Sequence, residues 1–557
     1  MAERDVRRRG AALLDRLLGL PAATAPGVDV DVHRALRVPM PDGVTLLADR
    51  YVPRRAGGPA PVVLLRTPYG RHRPEMRLFA GVLARRGLQV VVQNMRGVSG
   101  SGGEFRPFHD ERDDGLATVA WLRERPWCDG RVATAGASYL GFAEWAIGAY
   151  LDPPLEAMGL GVTASEFVHS FYPGGALGLH NLLLWSSSIG TQKEAPLGGL
   201  LPSPLHVRRV RRAMGRLPVG EADLAAIGRP EPFLREVVGH IDDQEFWAET
   251  DHSAGVAGTT APVSMVTGWW DLFLRRQLKD FAALRAAGRE ARITVGPWGH
   301  DLRALRATLL DQVSWLSAHL LDDTAQLRRA PVRVHLQNAN RWLDFEHWPP
   351  RESTPTPLFL VRARELEWDA PLKDGAVKFT YDPSDPTPTT GGPLLSPAKG
   401  KQQENGAIEV RPDVVVFTGA RLERDLDLVG PVSATVYVRT DPGYADVFVR
   451  LCDVDATGVS RNVTDGILRL RPGRGGQDGV VRAEVEMHPT GYRFRRGHRL
   501  RVQVAGGAFP RFARNHGTGE PVAAAVRTVP IRFEVFTGPD RPTAVTLPLL
   551  DGRPRPA

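Results

Sequence analysis

The 557-residue chain has only two cysteines, Cys128 and Cys452, and they lie far apart in the sequence. Two distant cysteines fit neither a disulfide framework nor the ligand spacing of a zinc site. A chain of this length buries several hydrophobic cores and does not need such cross-links for stability. The cysteine content therefore gives no indication of a metal centre, and it is consistent with a reducing cytosol.

The sequence also lacks an apolar run of the 18 or more residues that a membrane-spanning helix needs. Its N-terminus, MAERDVRRRGAALLDRLLGLP, has basic residues before leucines, as a signal peptide does. Asp15 and Arg16 interrupt that apolar run, however, and no Ala-x-Ala cleavage site follows. The leucines recur at helical spacing, which predicts a short amphipathic helix packed on the body. We expect a cytoplasmic protein with no membrane partner.

Positive charge is not concentrated in one part of the chain, although the net charge is +8. The basic clusters, such as HVRRVRRAMGR, are short and far apart, and no nucleic-acid-binding motif accompanies them. Nucleic-acid binding needs the charge on one continuous face. We therefore expect an arginine-rich solvated surface and no nucleic-acid partner.

Cofactor-binding motifs are absent from the sequence as well. It contains neither the metal motif H-E-x-x-H nor a dinucleotide fingerprint. The glycine-rich stretch QNMRGVSGSGGEF lacks the Gly-Lys-Ser/Thr ending of a phosphate loop, so its glycines indicate tight turns. We therefore expect no metal and no organic cofactor.

Buried strands alternate with helices over residues 1–165, as in APVVLLRTPYG, LQVVVQNMRG and GRVATAG. Such alternation is typical of a parallel sheet with helices on both faces. It pauses in a helical stretch over 166–254 and resumes over 255–325. An insertion of this kind usually lies over the carboxyl ends of the strands, where ligands bind. Over 326–557, short strands with turn signals, beginning with PVRVHLQ, predict an all-β jelly-roll domain.

Within this pattern, Ser138 follows the strand RVATAGA and precedes the helix GFAEWAIGAYL. A nucleophilic serine occupies such a strand-to-helix turn in the G-x-S-x-G elbow. Here the turn is GASYLG, with its second glycine one place late. From the turn alone, a serine that only caps the helix is an equally good interpretation.

Two further residues favour the catalytic interpretation of Ser138. Asp271 ends the strand APVSMVTGWWD, and His300 ends the strand ARITVGPWGH. The chain order Ser, Asp, His is the one found in α/β-hydrolases. In such a triad the histidine takes the serine proton, and the aspartate fixes the histidine tautomer and stabilises the imidazolium. The joint placement predicts a Ser138–His300–Asp271 triad.

Aromatic residues near these positions are candidates for a substrate pocket. Trp269, Trp270 and Trp298 stand beside the predicted acid and base, and they suit either an apolar acyl or aryl pocket or core packing. Further candidates at the start of the helical insertion are Phe167, Phe171 and Tyr172.

Seven segments stand in order along the chain: RTPYGR, QNMRGVSGSGGEF, GASYLG, GWWDLF, GPWGH, NRWLDFEHWPP and YDPSDPTPTTGG. Together they resemble the bacterial cocaine esterase family, a group that includes α-amino-acid ester hydrolases, glutaryl acylases and Xaa-Pro dipeptidyl-peptidases. The resemblance implies an α/β-hydrolase domain (1–165 and 255–325) with an inserted helical cap (166–254), followed by a β jelly roll (326–557). The late glycine is that family's own form of the elbow.

The resemblance also implies roles for individual residues. Ser138 is similar to the nucleophile, Asp271 to the orienting acid and His300 to the base. The Tyr69 hydroxyl, in TPYG, is similar to one donor of the oxyanion hole, and the backbone N–H of Tyr139 would be the other. Asn94 departs from the aspartate common in the family before Arg-Gly, and we expect this change to loosen an ion pair of Arg96.

The expected function is hydrolysis of carboxylic esters, or of amides, through an acyl-enzyme. An Xaa-Pro dipeptidyl-peptidase or an α-amino-acid ester hydrolase or acylase is the alternative. Those members bind a substrate ammonium with acidic side chains, and Glu166 is in a plausible region but cannot be assigned that role from the sequence. An acyltransferase and a non-catalytic binding protein on a hydrolase fold also stay open. We expect a small-molecule ester or amide substrate, and homodimer formation is an open alternative.

Overall fold

The computed structural model describes the following parts of the chain: residues 15–16, 19, 29–54, 57–191, 204–396, 398–473, 475–550 and 552. The predicted N-terminal helix falls almost entirely outside these residues. Asp15, which is described, forms ion pairs with Arg85 and Arg86 at 2.8 and 3.4 Å. None of the described helices is long and apolar enough to cross a membrane.

Ten strands form the first sheet: β1 (Val30–Pro39), β2 (Thr45–Pro53), β3 (Ala60–Thr67), β4 (Gln89–Asn94), β5 (Cys128–Ala137), β6 (Met158–Gly161), β7 (Val263–Trp270), β8 (Ala291–Gly299), β9 (Val332–Leu336) and β10 (Arg341–Phe345). Their order is β1-β2-β4-β3-β5-β6-β7-β8-β9-β10. The strands from β4 to β9 are parallel, and the strands at both ends are antiparallel. Every residue of β4 and β7 is buried, as the prediction of a sheet covered on both faces requires.

The described helices are α1 (Pro74–Ala84), α2 (Glu111–Arg123), α3 (Tyr139–Gly148), α4 (Val168–Phe171), α5 (Leu179–Thr191), α6 (Pro204–Ala213), α7 (Ala222–Ile227), α8 (Pro232–Gly239), α9 (Gln244–Trp247), α10 (Leu274–Ala286), α11 (Leu302–Leu321) and α12 (Gly406–Glu409). Helices α4 to α9 lie between β6 and β7, in the predicted cap. The chain leaves β3 for β4 on one side, whereas β5 lies on the other side of β3. The loops after β3 and β5 therefore meet at a topological switch point, where parallel sheets bind ligands.

Thirteen strands form the second sheet: β11 (Thr354–Val361), β12 (Glu365–Glu367), β13 (Ala376–Tyr381), β14 (Val414–Gly419), β15 (Leu426–Gly430), β16 (Ser433–Asp441), β17 (Ala445–Val454), β18 (Ser460–Leu470), β19 (Val481–Glu486), β20 (Thr490–Phe494), β21 (Arg499–Ala505), β22 (Ile531–Phe536) and β23 (Ala544–Leu549). All but one of the strand pairings within it are antiparallel. The predicted fold class, an α/β-hydrolase domain followed by an all-β domain, is confirmed.

One segment belongs to a different sheet from the one we predicted. PVRVHLQ, expected to open the β domain at 326, instead forms β9 and lies parallel to β8 in the first sheet. Val332, Val334 and Leu336 are fully buried there and extend the apolar face of that sheet. The change from α/β alternation to short strands at 326 therefore does not coincide with the change of sheet, because the first sheet continues through β10 to Phe345.

Candidate active site

The turn between β5 and α3 holds Ser138 in a strained backbone conformation, with φ 58° and ψ −123°. A non-glycine residue is rarely found there, and such strain is typical of functional turns. The Ser138 N–H donates to Gly161 O at 2.8 Å. A Cβ at Gly141 would lie 2.6 Å from Thr163, which explains why the elbow needs its second glycine at that place. The Ser138 side chain makes no capping hydrogen bond to α3, so the helix-cap interpretation does not describe this turn.

The three residues of the predicted triad come together at the carboxyl ends of their strands. His300 Nε2 lies 3.1 Å from Ser138 Oγ, and His300 Nδ1 lies 2.8 Å from Asp271 Oδ2. The other carboxylate oxygen of Asp271 accepts the backbone N–H of Phe273 at 2.8 Å. The Asp271 side chain is fully buried, whereas 17% of the His300 side chain is exposed. This geometry lets the imidazole take a proton from Ser138 while Asp271 holds it in place.

Two hydrogen-bond donors lie beside Ser138. The Tyr69 hydroxyl, in the loop after β3, accepts the Trp185 Nε1–H at 3.3 Å, and Ser138 is the other polar side chain that interacts with it. Burial raises the pKa of the Tyr69 phenol, so it stays protonated and able to donate. Tyr139 is the first residue of α3, and a helix leaves its first N–H groups without an intrahelical partner.

The hydroxyl of Tyr139 is held by two hydrogen bonds to residues at and just before the start of α2. It donates to Glu111 Oε1 at 2.5 Å and accepts the backbone N–H of Phe108 at 2.6 Å. Both Tyr139 and Glu111 are buried, and burial raises the pKa of Glu111 to about 7. These contacts tie the start of α3 to the start of α2, and sequence reasoning did not identify Glu111.

An aromatic cluster fills the space between the elbow and the cap. Phe167, Phe171 and Tyr172, which we predicted as pocket residues, belong to it. The Phe167 ring lies 4.2 Å from that of Phe273, which in turn lies 5.7 Å from the His300 ring. Aromatic residues of this cluster that we did not predict include Phe108, Trp185 and Phe233. Phe108 precedes α2, and Trp185 and Phe233 are in the cap, so no local pattern around the triad residues points to them.

The three tryptophans predicted for the pocket have other partners. Each indole N–H donates to a protein oxygen: Trp269 to His335 O at 2.6 Å, Trp270 to Gln337 Oε1 at 2.9 Å and Trp298 to Thr267 O at 2.9 Å. Trp269 and Trp270 are buried in the core of the first sheet, not in the aromatic cluster. The structure therefore does not bring Trp269 and Trp270 to the aromatic cluster, and their burial agrees with the core-packing interpretation, whereas Trp298 is only partly buried.

Glu166 and Asn94, two other residues singled out in the sequence analysis, form polar contacts with neighbouring residues. Glu166 is buried, and its carboxylate contacts His169 Nδ1 at 2.8 Å. Asn94 accepts the Arg71 backbone N–H at 2.6 Å and donates to Ser99 O. The expected loosening near Arg96 is not observed, because Arg96 forms ion pairs with Asp114 and with Asp42, each at 2.6 Å.

The strained serine turn on a mostly parallel sheet, with an all-β domain after it, defines a hydrolase of the α/β class. Two family models match the chain: "X-Pro dipeptidyl-peptidase (S15 family)" over residues 42–301 and "X-Pro dipeptidyl-peptidase C-terminal non-catalytic domain" over 326–544. The chain therefore belongs to this family of serine hydrolases.

Individual relatives agree with that membership over nearly the whole chain. A cocaine esterase from Rhodococcus sp. (strain MB1 Bresler) is 29% identical, over 92% of this chain and 97% of its own length. The crystal structure of an aminopeptidase from a marine sediment Thaumarchaeota archaeon has a TM-score of 0.80 at 21% identity, covering 95% of this chain and 98% of that one. An α-amino acid ester hydrolase structure has a TM-score of 0.78 at 21% identity, with the same coverage. The two structures share the fold of this chain.

Proposed function

We propose that the protein cleaves carboxylic esters of apolar acyl or aryl groups through an acyl-enzyme formed on Ser138. The observation that carries this proposal is the continuous hydrogen-bonded chain from Ser138 Oγ through His300 to the buried Asp271 carboxylate. A serine hydroxyl is a weak nucleophile, and this chain supplies the base and the group that orients it.

In this mechanism His300 Nε2 takes the Ser138 proton as Oγ attacks the ester carbonyl. The carbonyl oxygen becomes an oxyanion that accepts hydrogen bonds from the Tyr69 hydroxyl and the Tyr139 N–H. His300 then protonates the departing alcohol, which leaves Ser138 acylated. Water, activated by His300, attacks the acyl-enzyme and releases the acid.

The preference for apolar acyl groups is supported by the aromatic cluster beside the elbow. Phe108, Phe167 and Phe233 carry no polar side-chain atoms and are buried there. The Glu166 carboxylate, the acidic group considered for an ammonium-bearing substrate, is paired with His169. The cocaine esterase relative also supports esters over peptides, while the matched family model makes Xaa-Pro peptides the alternative substrate.

The test is turnover of a p-nitrophenyl acyl-ester series by the wild type, by Ser138→Ala and by Ser384→Ala. Ser384 lies in an exposed loop of the β domain and serves as a control for serine replacement. We expect hydrolysis to disappear in Ser138→Ala and to be unchanged in Ser384→Ala. Full activity in Ser138→Ala would refute the mechanism. A wild type that cleaves Xaa-Pro-p-nitroanilides much faster than any ester would replace ester with peptide substrates.

A further inference from the structure

We propose that Trp185, a residue of the cap, sets the direction in which the Tyr69 hydroxyl donates its hydrogen, and so acts as a positioning residue for the oxyanion hole. This inference rests on the proposed function, in which Tyr69 stabilises the oxyanion. It deepens that proposal by linking a side chain of the cap to the chemistry at Ser138.

The argument begins with the donor and acceptor capacities of the two side chains. An indole N–H can only donate, whereas a phenol hydroxyl donates one hydrogen and accepts others. Because Trp185 Nε1 lies 3.3 Å from the Tyr69 hydroxyl oxygen, that oxygen is the acceptor of this hydrogen bond. The Tyr69 hydrogen must therefore point away from the indole. Ser138 is the other polar side chain that interacts with this hydroxyl, so a hydrogen turned away from the indole is available to an oxyanion that forms beside Ser138.

The orientation of Trp185 is itself fixed by aromatic contacts. Its ring stacks on that of Tyr139 with 6.0 Å between centroids and 16° between planes. The Phe233 ring meets it edge-on at 5.2 Å, and the Phe108 ring lies 5.7 Å away. One side chain of α5 thus contacts both residues that supply the proposed oxyanion donors, Tyr69 through its N–H and Tyr139 through its face.

The same hydrogen bond strengthens Tyr69 as a donor. A hydroxyl that accepts one hydrogen bond is polarised and donates more strongly to the next partner, especially where the surroundings are apolar. Without the indole N–H, the Tyr69 hydrogen can rotate away from Ser138, and part of the population would lack an aligned donor when charge develops.

The test is Trp185→Phe, which retains an aromatic ring in the stack and removes the N–H. We expect kcat for a p-nitrophenyl ester to fall roughly tenfold, the size typical of one lost hydrogen bond, with KM nearly unchanged. Trp247→Phe is the matched control, since its indole is also in the cap but donates to His240 O at 3.0 Å. That variant should keep the wild-type kcat.

The decisive measurement repeats Trp185→Phe in a Tyr69→Phe background. If Trp185 acts through the Tyr69 hydroxyl, it adds no further loss of kcat there, because the group that it orients is already gone. An equal loss in both backgrounds would mean that Trp185 acts by packing and would overturn the proposal. So would an unchanged kcat in Tyr69→Phe alone.

Two further observations keep the outcomes distinct. If Trp185→Phe fails to fold, replacement of Trp185 by benzothienylalanine removes the N–H while keeping the ring shape, and the same kinetic criteria apply. Failure of the proposed function would appear as activity in Ser138→Ala. Failure of this inference alone would appear as an inactive Ser138→Ala together with a Trp185→Phe variant that retains the wild-type kcat.

Discussion

Two groups of aromatic side chains were considered for the site, and they differ in their contacts: one packs by ring contacts alone, and the other also donates hydrogen bonds. Beside the elbow, the rings of Phe108, Phe167 and Phe233 contact mainly one another and the cap. Beside Asp271 and His300 in sequence, Trp269, Trp270 and Trp298 each donate an N–H to a protein oxygen. The phenyl group is buried and presents no polar side-chain atom, whereas the indole N–H groups bond to Thr267 and His335 of the first sheet and to Gln337, the residue after β9. Closeness to the triad in sequence is therefore a poor guide to which aromatic residues pack beside the elbow.

The largest effect that this comparison predicts is on stability. Trp269→Ala removes a fully buried indole and leaves the His335 carbonyl without its donor. We expect the free energy of unfolding to fall by about 3–5 kcal/mol, the usual cost of a large-to-small change in a core. Urea unfolding followed by fluorescence measures this loss. At a temperature where the variant is folded, its relative rates on different acyl esters should match the wild type.

Trp342→Ala is the control for that experiment, because this tryptophan is 42% exposed. It should cost much less stability. A changed acyl-chain profile in Trp269→Ala, with stability preserved, would assign Trp269 to the pocket and remove the distinction between the two groups.

The burial of Trp269 and Trp270 follows from the strand that carries them. Trp269 and Trp270 are consecutive in β7, and consecutive side chains of a strand point to opposite faces of the sheet. Because β7 is buried on both faces, both indoles enter the core. The sequence identified the strand and the position of Asp271 at its end, but it does not indicate which neighbours meet each ring.

The parts of the fold and site that were predictable from sequence depend on local patterns. The alternation of buried strands and helices predicted the parallel sheet, and the strand ends predicted that Ser138, Asp271 and His300 would converge. The contributions of Phe108, Phe233 and Glu111 depend on how distant segments pack, for which the sequence carries no periodic signal. The segment β9 was assigned to the wrong sheet for a similar reason, since a short apolar strand has the same pattern in either sheet.

A smaller effect should appear in substrate preference when the phenyl group is changed. Phe233 is 2% exposed, and its ring lies 5.2 to 5.6 Å from those of Phe108, Phe171 and Trp185. Phe233→Ala should enlarge the pocket and raise kcat/KM for long-chain esters relative to acetate esters by roughly tenfold, the discrimination typical of one or two methylenes. The measurement is the p-nitrophenyl ester series.

Phe379→Ala is the matched control for Phe233→Ala. Phe379 is 7% exposed and stacks on Phe533 in the β domain, 4.6 Å between centroids. It should lose stability without any change in chain-length preference. If both variants show the same profile as the wild type, the phenyl group does not bound the acyl site.

The last predicted effect depends on pH and concerns Tyr139, which combines the two kinds of aromatic residue. Its ring belongs to the cluster near the elbow, whereas its hydroxyl is held by Glu111, as the tryptophan N–H groups are held by their acceptors. Burial raises the pKa of the Glu111 carboxyl from 4.5 to about 7. Between these values the folded protein keeps a proton that the unfolded chain has released. Stability from this group is therefore greatest below pH 4.5 and declines as the pH rises toward 7.

Glu111→Gln removes this titration while retaining an uncharged group of similar shape. We expect the difference in unfolding free energy between wild type and Glu111→Gln to change by at most about 1.4 kcal/mol per pH unit between pH 4.5 and 7, with the wild type losing stability as the pH rises. Outside that window the difference should be flat. Glu124→Gln, at the exposed C-terminal end of α2, should follow the wild type at every pH. A pH-independent difference for Glu111→Gln would mean that Glu111 is already ionised across this range. The Tyr139 anchor would then be a charged hydrogen bond, unlike the neutral ones that hold the tryptophans.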